Sequence, residues 1–171
     1  MAIDLDKLKL GIDSGEYTLN SRADNYRYFW HMLQQSRQQL DIFSTHLDHK
    51  LYDTTEIITR LQSLIHQNQH TRIRLLLRNP RHLLSYGHRI VELSRRLSTY
   101  IEIRQLAETC DEHIESFCLF DRQGIIYRPN AEQFEGWFSF HAGVRVKSIS
   151  GFFNEAWDTS LPCHETRRLY L

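Results

Sequence analysis

The stretch that decides the reading is "CDEHIESFCLFDRQGIIYR", Cys110 to Arg128. Within it "ESFCLFD" alternates as a strand, and "GIIYR" follows after a short turn at Arg122-Gln123, which together predict a β-hairpin. Alternate residues of a strand share a face, so His113, Glu115, Phe117, Leu119 and Asp121 are expected to point one way. An imidazole and a carboxylate two residues apart can form a hydrogen-bonded acid–base pair. The plainer alternative is a histidine at a strand entry, beside the solvated acids Asp111 and Glu112.

Upstream of the hairpin, helix and strand patterns alternate. "EYTL" reads as a short strand, and Ser21 or Asp24 can cap the helix after it. Tyr26, Phe29, Trp30, Leu33, Arg37 and Leu40 fall at helical spacing. "LDIFST" (Leu40 to Thr45) reads as a buried strand, and Thr54 or Thr55 opens a helix striped by Ile57, Ile58, Leu61, Leu64 and Ile65. "TRIRLLLR" (Thr71 to Arg78) is a strand that Asn79-Pro80 must end. Leu83, Leu84, Gly87, Ile90, Val91, Ser94 and Leu97 trace a third helix, and "YIEIRQL" another strand. Downstream, Val146, Ile149, Phe152, Phe153, Ala156 and Trp157 form a final helix. The pattern predicts an α/β fold: a mixed sheet flanked by helices, its parallel strands joined by right-handed crossovers. The chain of 171 residues reads as a single domain, with residues 1–20 a polar N-terminal extension and 161–171 a tail broken at Pro162.

The net charge of zero conceals an asymmetry. His70 to Arg104 holds eight Arg and two acids, whereas Gln105 to Glu135 holds seven acids and two Arg. A basic segment followed by an acidic one argues against a uniformly basic nucleic-acid binder. No apolar run approaches the roughly 20 residues that span a bilayer, and "MAIDLDKLKL" does not read as a secretion signal. Three cysteines without CxxC spacing predict reduced cytoplasmic thiols, with Cys118 in the core and Cys163 exposed.

The order of elements around "RIRLLLRNP", "EHIESFCLFDRQGIIYR" and "FNEAW" resembles one half of the phospholipase D superfamily. The signature of that family is His-x-Lys-x4-Asp, with the histidine as nucleophile on phosphorus and the lysine binding phosphate. Counted from His113, the lysine position holds Glu115, the aspartate position holds Phe120, and Asp121 lies one residue late. Setting Asp121 in register instead leaves neither His nor Lys in place. A carboxylate where a phosphate-binding cation belongs inverts the local field, by about 4 kcal/mol for a charge at 4 Å in partly buried surroundings. The chain is more closely similar to an uncharacterised bacterial branch found behind GNAT-type acetyltransferase domains or as free-standing chains. The stretches that carry this are "GEYTLNSRAD", "LDIFSTHLDHKLYD", "IRLLLRNPRHLLSYGHRI" and "ETRRL". The resemblance implies the fold, a homodimer paired around the signature strands, and an acetyltransferase as a partner. It also implies a supporting role for a polar residue downstream, for which His141 is the candidate.

Other groups qualify on chemistry. Arg78, Arg81 and Arg89, with His82 and His88, gather where a parallel strand ends and a helix starts, a place that favours anions. A phosphate, nucleotide or acidic peptide is the kind of ligand such a set takes, and the favoured plainer reading is a solvated basic helix start. Arg72 and Arg74 alternate with apolar residues, on a strand face expected to lie under a helix or a partner subunit. In "THLDHK", His46 and His49 flank Asp48, with Asp53 nearby. Without an evident fourth ligand they read as structural or surface groups, so no metal and no cofactor is expected. Phe134, Trp137, Phe138 and Phe140 read as core, or as a face for a partner.

These readings converge on a non-catalytic, phospholipase-D-like binding or regulatory module of the bacterial cytoplasm. Two rivals stand beside it. One is a dimeric phosphodiesterase or nuclease using His113 and His141. The other is nucleic-acid binding through residues 70–104.

Overall fold

The computed structural model describes residues 3–163. An edge strand, β1 (Tyr17–Leu19), leads to α1 (Arg22–Gln35), β2 (Gln39–Ser44), a single-turn α2 (His49–Tyr52), α3 (Thr55–Gln67) and β3 (Arg72–Leu77). Two short helices, α4 (Arg81–Ser85) and α5 (Arg89–Arg96), precede β4 (Ile101–Gln105). Then come β5 (Ser116–Phe120), β6 (Gly124–Arg128), β7 (Gly136–Ser139), α6 (Gly143–Asp158) and β8 (Leu161–Pro162). The strands form one mixed sheet in the order β1-β7-β6-β5-β2-β3-β4-β8. β2, β3 and β4 are parallel, and the remaining pairings are antiparallel.

Side-chain alternation sorts this sheet into two faces. Leu40, Ile42, Ile73, Leu75, Cys118 and Phe120 enter a large core with Phe29, Met32 and Leu33 of α1 and Ile57, Leu61 and Ile65 of α3. Phe43, Leu76, Phe117, Leu119 and Ile125 face the other way, onto Val146, Phe153, Ala156 and Trp157 of α6. β2 is buried along its whole length, as a central strand covered on both faces must be.

The predicted caps hold: Ser21 accepts the Asp24 N–H, and Thr54 accepts that of Ile57. α1 stops at Gln35, however, so Arg37 lies beyond it and Leu40 belongs to β2. The helix expected from Leu83 to Leu97 is broken in two. Gly87 takes a φ of +69°, open to glycine at no steric cost, and His88 then caps α5. The N-terminal extension is docked rather than loose. Leu5 is buried, the Gly11 N–H donates to Phe140 O, and the Gln35 amide bridges Leu8 and Leu10. Leu161 and Pro162, read as tail, pair with β4 instead. Cys163, expected at the surface, is buried in the larger core because that pairing carries it inward. The "ETRRL" stretch lies outside the described residues.

Arg74 lies under a helix, as one of the two sequence readings had it. Its guanidinium makes two bonds to Asp41, of 2.7 and 2.9 Å, and is packed 4.7 Å from the Phe153 ring and 5.4 Å from that of Trp157. Arg72, at the start of β3, stays exposed.

Candidate functional site

β2, β3 and β4 end at Ser44, Leu77 and Gln105, and the start of β5 lies beside the end of β2 through the Phe43–Phe117 pair. Ligands of open α/β sheets bind at this carboxyl edge. His113 sits there, in the loop just before β5, with Cys110 O accepting its backbone N–H. Its Nδ1 is 2.9 Å from Glu115 Oε1, and its ring rests on Phe152 with centroids 4.4 Å apart. Glu112 Oε1 stands 4.0 Å from Nε2. The acid–base pair foreseen from spacing therefore forms. An anion approaching the free edge of that ring would meet Glu112 and Glu115.

Arg78 leaves the end of β3 for the same region and pairs with Asp111 at 3.4 Å. A second cation was not foreseen. Arg128, on β6, is 4% exposed and donates to Ala131 O, Gln133 O and Ser116 Oγ, with Phe134 stacked against it. Ser116 opens β5, so this guanidinium stands at the entry of that strand. Its donors serve the 129–134 loop. The signal was a lone arginine at the end of an apolar strand.

Asp121 turns away from this edge. It lies in the β5–β6 turn with φ of +50°, and its carboxylate accepts the N–H groups of Arg37, Gln38 and Gln39 at 2.7 to 3.0 Å. It ties the hairpin to the entry of β2. His141 also lies at that far end, where the Ala142 N–H donates to Gln123 O. The whole of β5, roughly 15 Å, separates it from His113. One chain therefore does not bring the two histidines together, since catalytic partners must sit within hydrogen-bond reach or one water.

The basic set is divided. Arg81 is exposed, with its backbone N–H on Asn79 Oδ1. His82 is packed edge-on to His46 and parallel to Tyr86. Arg89 is bound to Asp53 Oδ1, Asp53 O and Thr55 Oγ1, so it braces α5 against the start of α3. His88 is 2% exposed and its Nδ1 accepts the Ile90 N–H. Burial lowers its pKa to about 4. Of the two, His88 is buried, while the half-exposed Arg89 guanidinium is engaged by Asp53 and Thr55. In the "THLDHK" segment, Asp48 caps α2, His49 pairs with Asp53 at 2.8 Å, and His46 approaches Asn79 O and Glu132. Cys118 is no nucleophile, for burial pushes its thiol up to about 11. Phe138 and Phe140 are core, while Phe134 and Trp137 are half-buried.

A family model matches residues 21–169. The chain belongs to DUF7931, a domain family of unknown function. No curated protein matches it. Among solved structures the DUF7931 chain is similar to NucT from Helicobacter pylori, with a TM-score of 0.59 and 8% identity, covering 86% of this chain and 98% of that one. It is similar to Nuc from Salmonella typhimurium, described as a phospholipase D family member, with a TM-score of 0.55 and 7% identity over the same shares. It is also similar to TrmBL2, an archaeal chromatin protein described as showing a novel mode of DNA binding. There the TM-score is 0.60 at 12% identity, covering 88% of this chain and 55% of that one. The DUF7931 chain thus spans about half the length of TrmBL2. At such identities the likeness is one of fold, and the fold is phospholipase D-like.

Proposed function

We propose that this DUF7931 domain is a non-catalytic phospholipase D-like binding module. The observation that carries the reading is the 2.9 Å contact between Glu115 and His113 Nδ1. A histidine that attacks phosphorus needs a cation beside it to receive the phosphoryl oxygens. Here the neighbouring side chain is a carboxylate, Phe152 covers one face of the ring, and Arg78 is paired with Asp111. Like charge at about 4 Å in such partly buried surroundings disfavours a bound phosphate by several kcal/mol.

The module is read as one cytoplasmic domain that acts through protein contacts, as a homodimer and with an acetyltransferase as partner. A phosphate-bearing ligand would use the exposed Arg81 with Arg78 released from Asp111. The test is turnover of bis(p-nitrophenyl) phosphate by the purified chain. The expected result is no release above buffer, for the natural protein and for His113→Ala alike. Turnover that His113→Ala abolishes would replace this reading with the phosphodiesterase one.

A further inference from the structure

The two ends of the sheet carry opposite charge. At the amino edge a groove of about 1140 Å³ runs between the docked N-terminal segment and the ends of α1 and α3, with Lys9, Arg37 and Arg60 in its walls. Arg72, the first residue of β3, and Arg122, in the β5–β6 turn, extend this set along the edge. Three acids stand among these five cations. Asp121 is occupied by three backbone N–H groups, Asp13 by the Lys9 N–H, and Asp6 is exposed. Arg60 is spent on Leu33 O, Gln34 O and Ser36 O. Lys9, Arg37, Arg72 and Arg122 are exposed, and among the described residues no ion pair engages their side chains.

The carboxyl edge is the reverse. The loop from β4 to β5 holds Glu108, Asp111 and Glu112, all exposed, and the half-buried Glu115. Arg78 pairs with Asp111 and His113 with Glu115, so the loop stays acidic in sum. Each edge also exposes a large aliphatic side chain: Ile12 in the groove at 69%, and Ile114 in the loop at 49%. An apolar centre with a charged rim is the usual build of a protein interface. The six residues of β2, roughly 20 Å, separate loop from groove, so no chain can fill its own groove.

We infer that this groove receives the 108–115 loop of a second copy of the chain. Ile114 of one copy meets Ile12 of the next, and Glu108 and Glu112 meet Lys9 and Arg37. Because opposite edges meet, the contact is head-to-tail and does not close on a pair. It differs from the two-fold pairing that the family likeness implies, and it rests on no role for His113. A nucleic-acid backbone fits the groove less well. The chain's net charge of zero gives no long-range pull on a polyanion, and no Phe, Tyr or Trp lines the groove to stack on bases.

The test is sedimentation equilibrium of the full chain at rising concentration, in about 50 mM and about 500 mM salt. The weight-average mass should climb past that of two chains in the dilute salt and fall back in the concentrated one. Two charge-reversed chains then test the edges. Lys9→Glu with Arg37→Glu makes both edges acidic, whereas Glu108→Lys with Glu112→Lys makes both basic. Each alone should associate about tenfold more weakly or less, and an equal mixture of the two should recover the growth. All four positions are exposed. Should a reversed chain not fold, Ile114→Ser and the salt series decide, with the same loss expected. A mass that stays at one or two chains overturns the inference. So does growth that salt leaves unchanged, growth undiminished in the folded variants, or a mixture that fails to recover it. A labelled DNA duplex bound through Lys9 and Arg37, in place of self-association, would give the edge to nucleic acid instead.

Discussion

Asp41 and Arg74 lie side by side on the parallel strands β2 and β3 and are joined by two hydrogen bonds of 2.7 and 2.9 Å, with both side chains almost fully buried. The Gln39 amide donates to the same carboxylate, and Phe153 and Trp157 of α6 close over the guanidinium. Removing one member leaves the other charged and dry. Arg74→Ala should cost about 3–5 kcal/mol in urea unfolding, while the double change Asp41→Leu with Arg74→Met should lie much nearer the natural protein. A single variant as stable as the natural chain would show that the pair is hydrated in solution.

Asp121 supports a second prediction. Its carboxylate gathers three backbone N–H groups that lead into β2, from a residue held at φ +50°. Asp121→Ala loses these acceptors and leaves a side chain ill suited to that backbone, so a loss of about 2–3 kcal/mol is expected. Asp121→Asn keeps one acceptor oxygen and tolerates the left-handed region, and should lose less. Equal losses in the two variants would speak against the carboxylate's role.

A third concerns acid. Burial lowers His88 to about 4 from an ordinary 6.5, aided by His49 and Arg89 and opposed by Asp53 and Asp48. The unfolded chain takes up a proton near pH 6.5, which the folded chain refuses until about 4. Stability must therefore fall as pH drops through that window, by on the order of 3 kcal/mol in full. His88→Asn should flatten this part of the pH profile in urea denaturation. An unchanged slope would place the titrating group elsewhere.

Much of the scaffold was legible because its signals are local. The apolar runs of β2 and β3, the alternation of β5, the caps Ser21 and Thr54, and the His113–Glu115 spacing each speak within a few residues. What escaped is non-local. Asp41 and Arg74 are 33 positions apart, and only the parallel register of β2 and β3 makes them partners. Arg128 reads as an ordinary strand end until the 129–134 loop folds its carbonyls over it. Gly87 fits a helical stripe by spacing, so its left-handed backbone was hidden by its position. The two-residue β8 contains a proline and carries no periodicity, and with it went the burial of Cys163. The basic segment misled in the same way. Of its arginines, Arg74, Arg78 and Arg89 pair with Asp41, Asp111 and Asp53 from elsewhere in the chain, so half of the surplus of six counted along the segment is matched once the chain folds.

The two sides of the sheet are unequally guarded. Several helices share the larger core, whereas among the described residues α6 is the one long helix over Phe43, Leu76, Phe117, Leu119 and Ile125. Detaching it would bare that whole hydrophobic floor in a single step, with no second layer to hold part of it shut. Native-state fluctuations should thus concentrate at this roof, and its amides should trade deuterium ahead of those in β2 and β3.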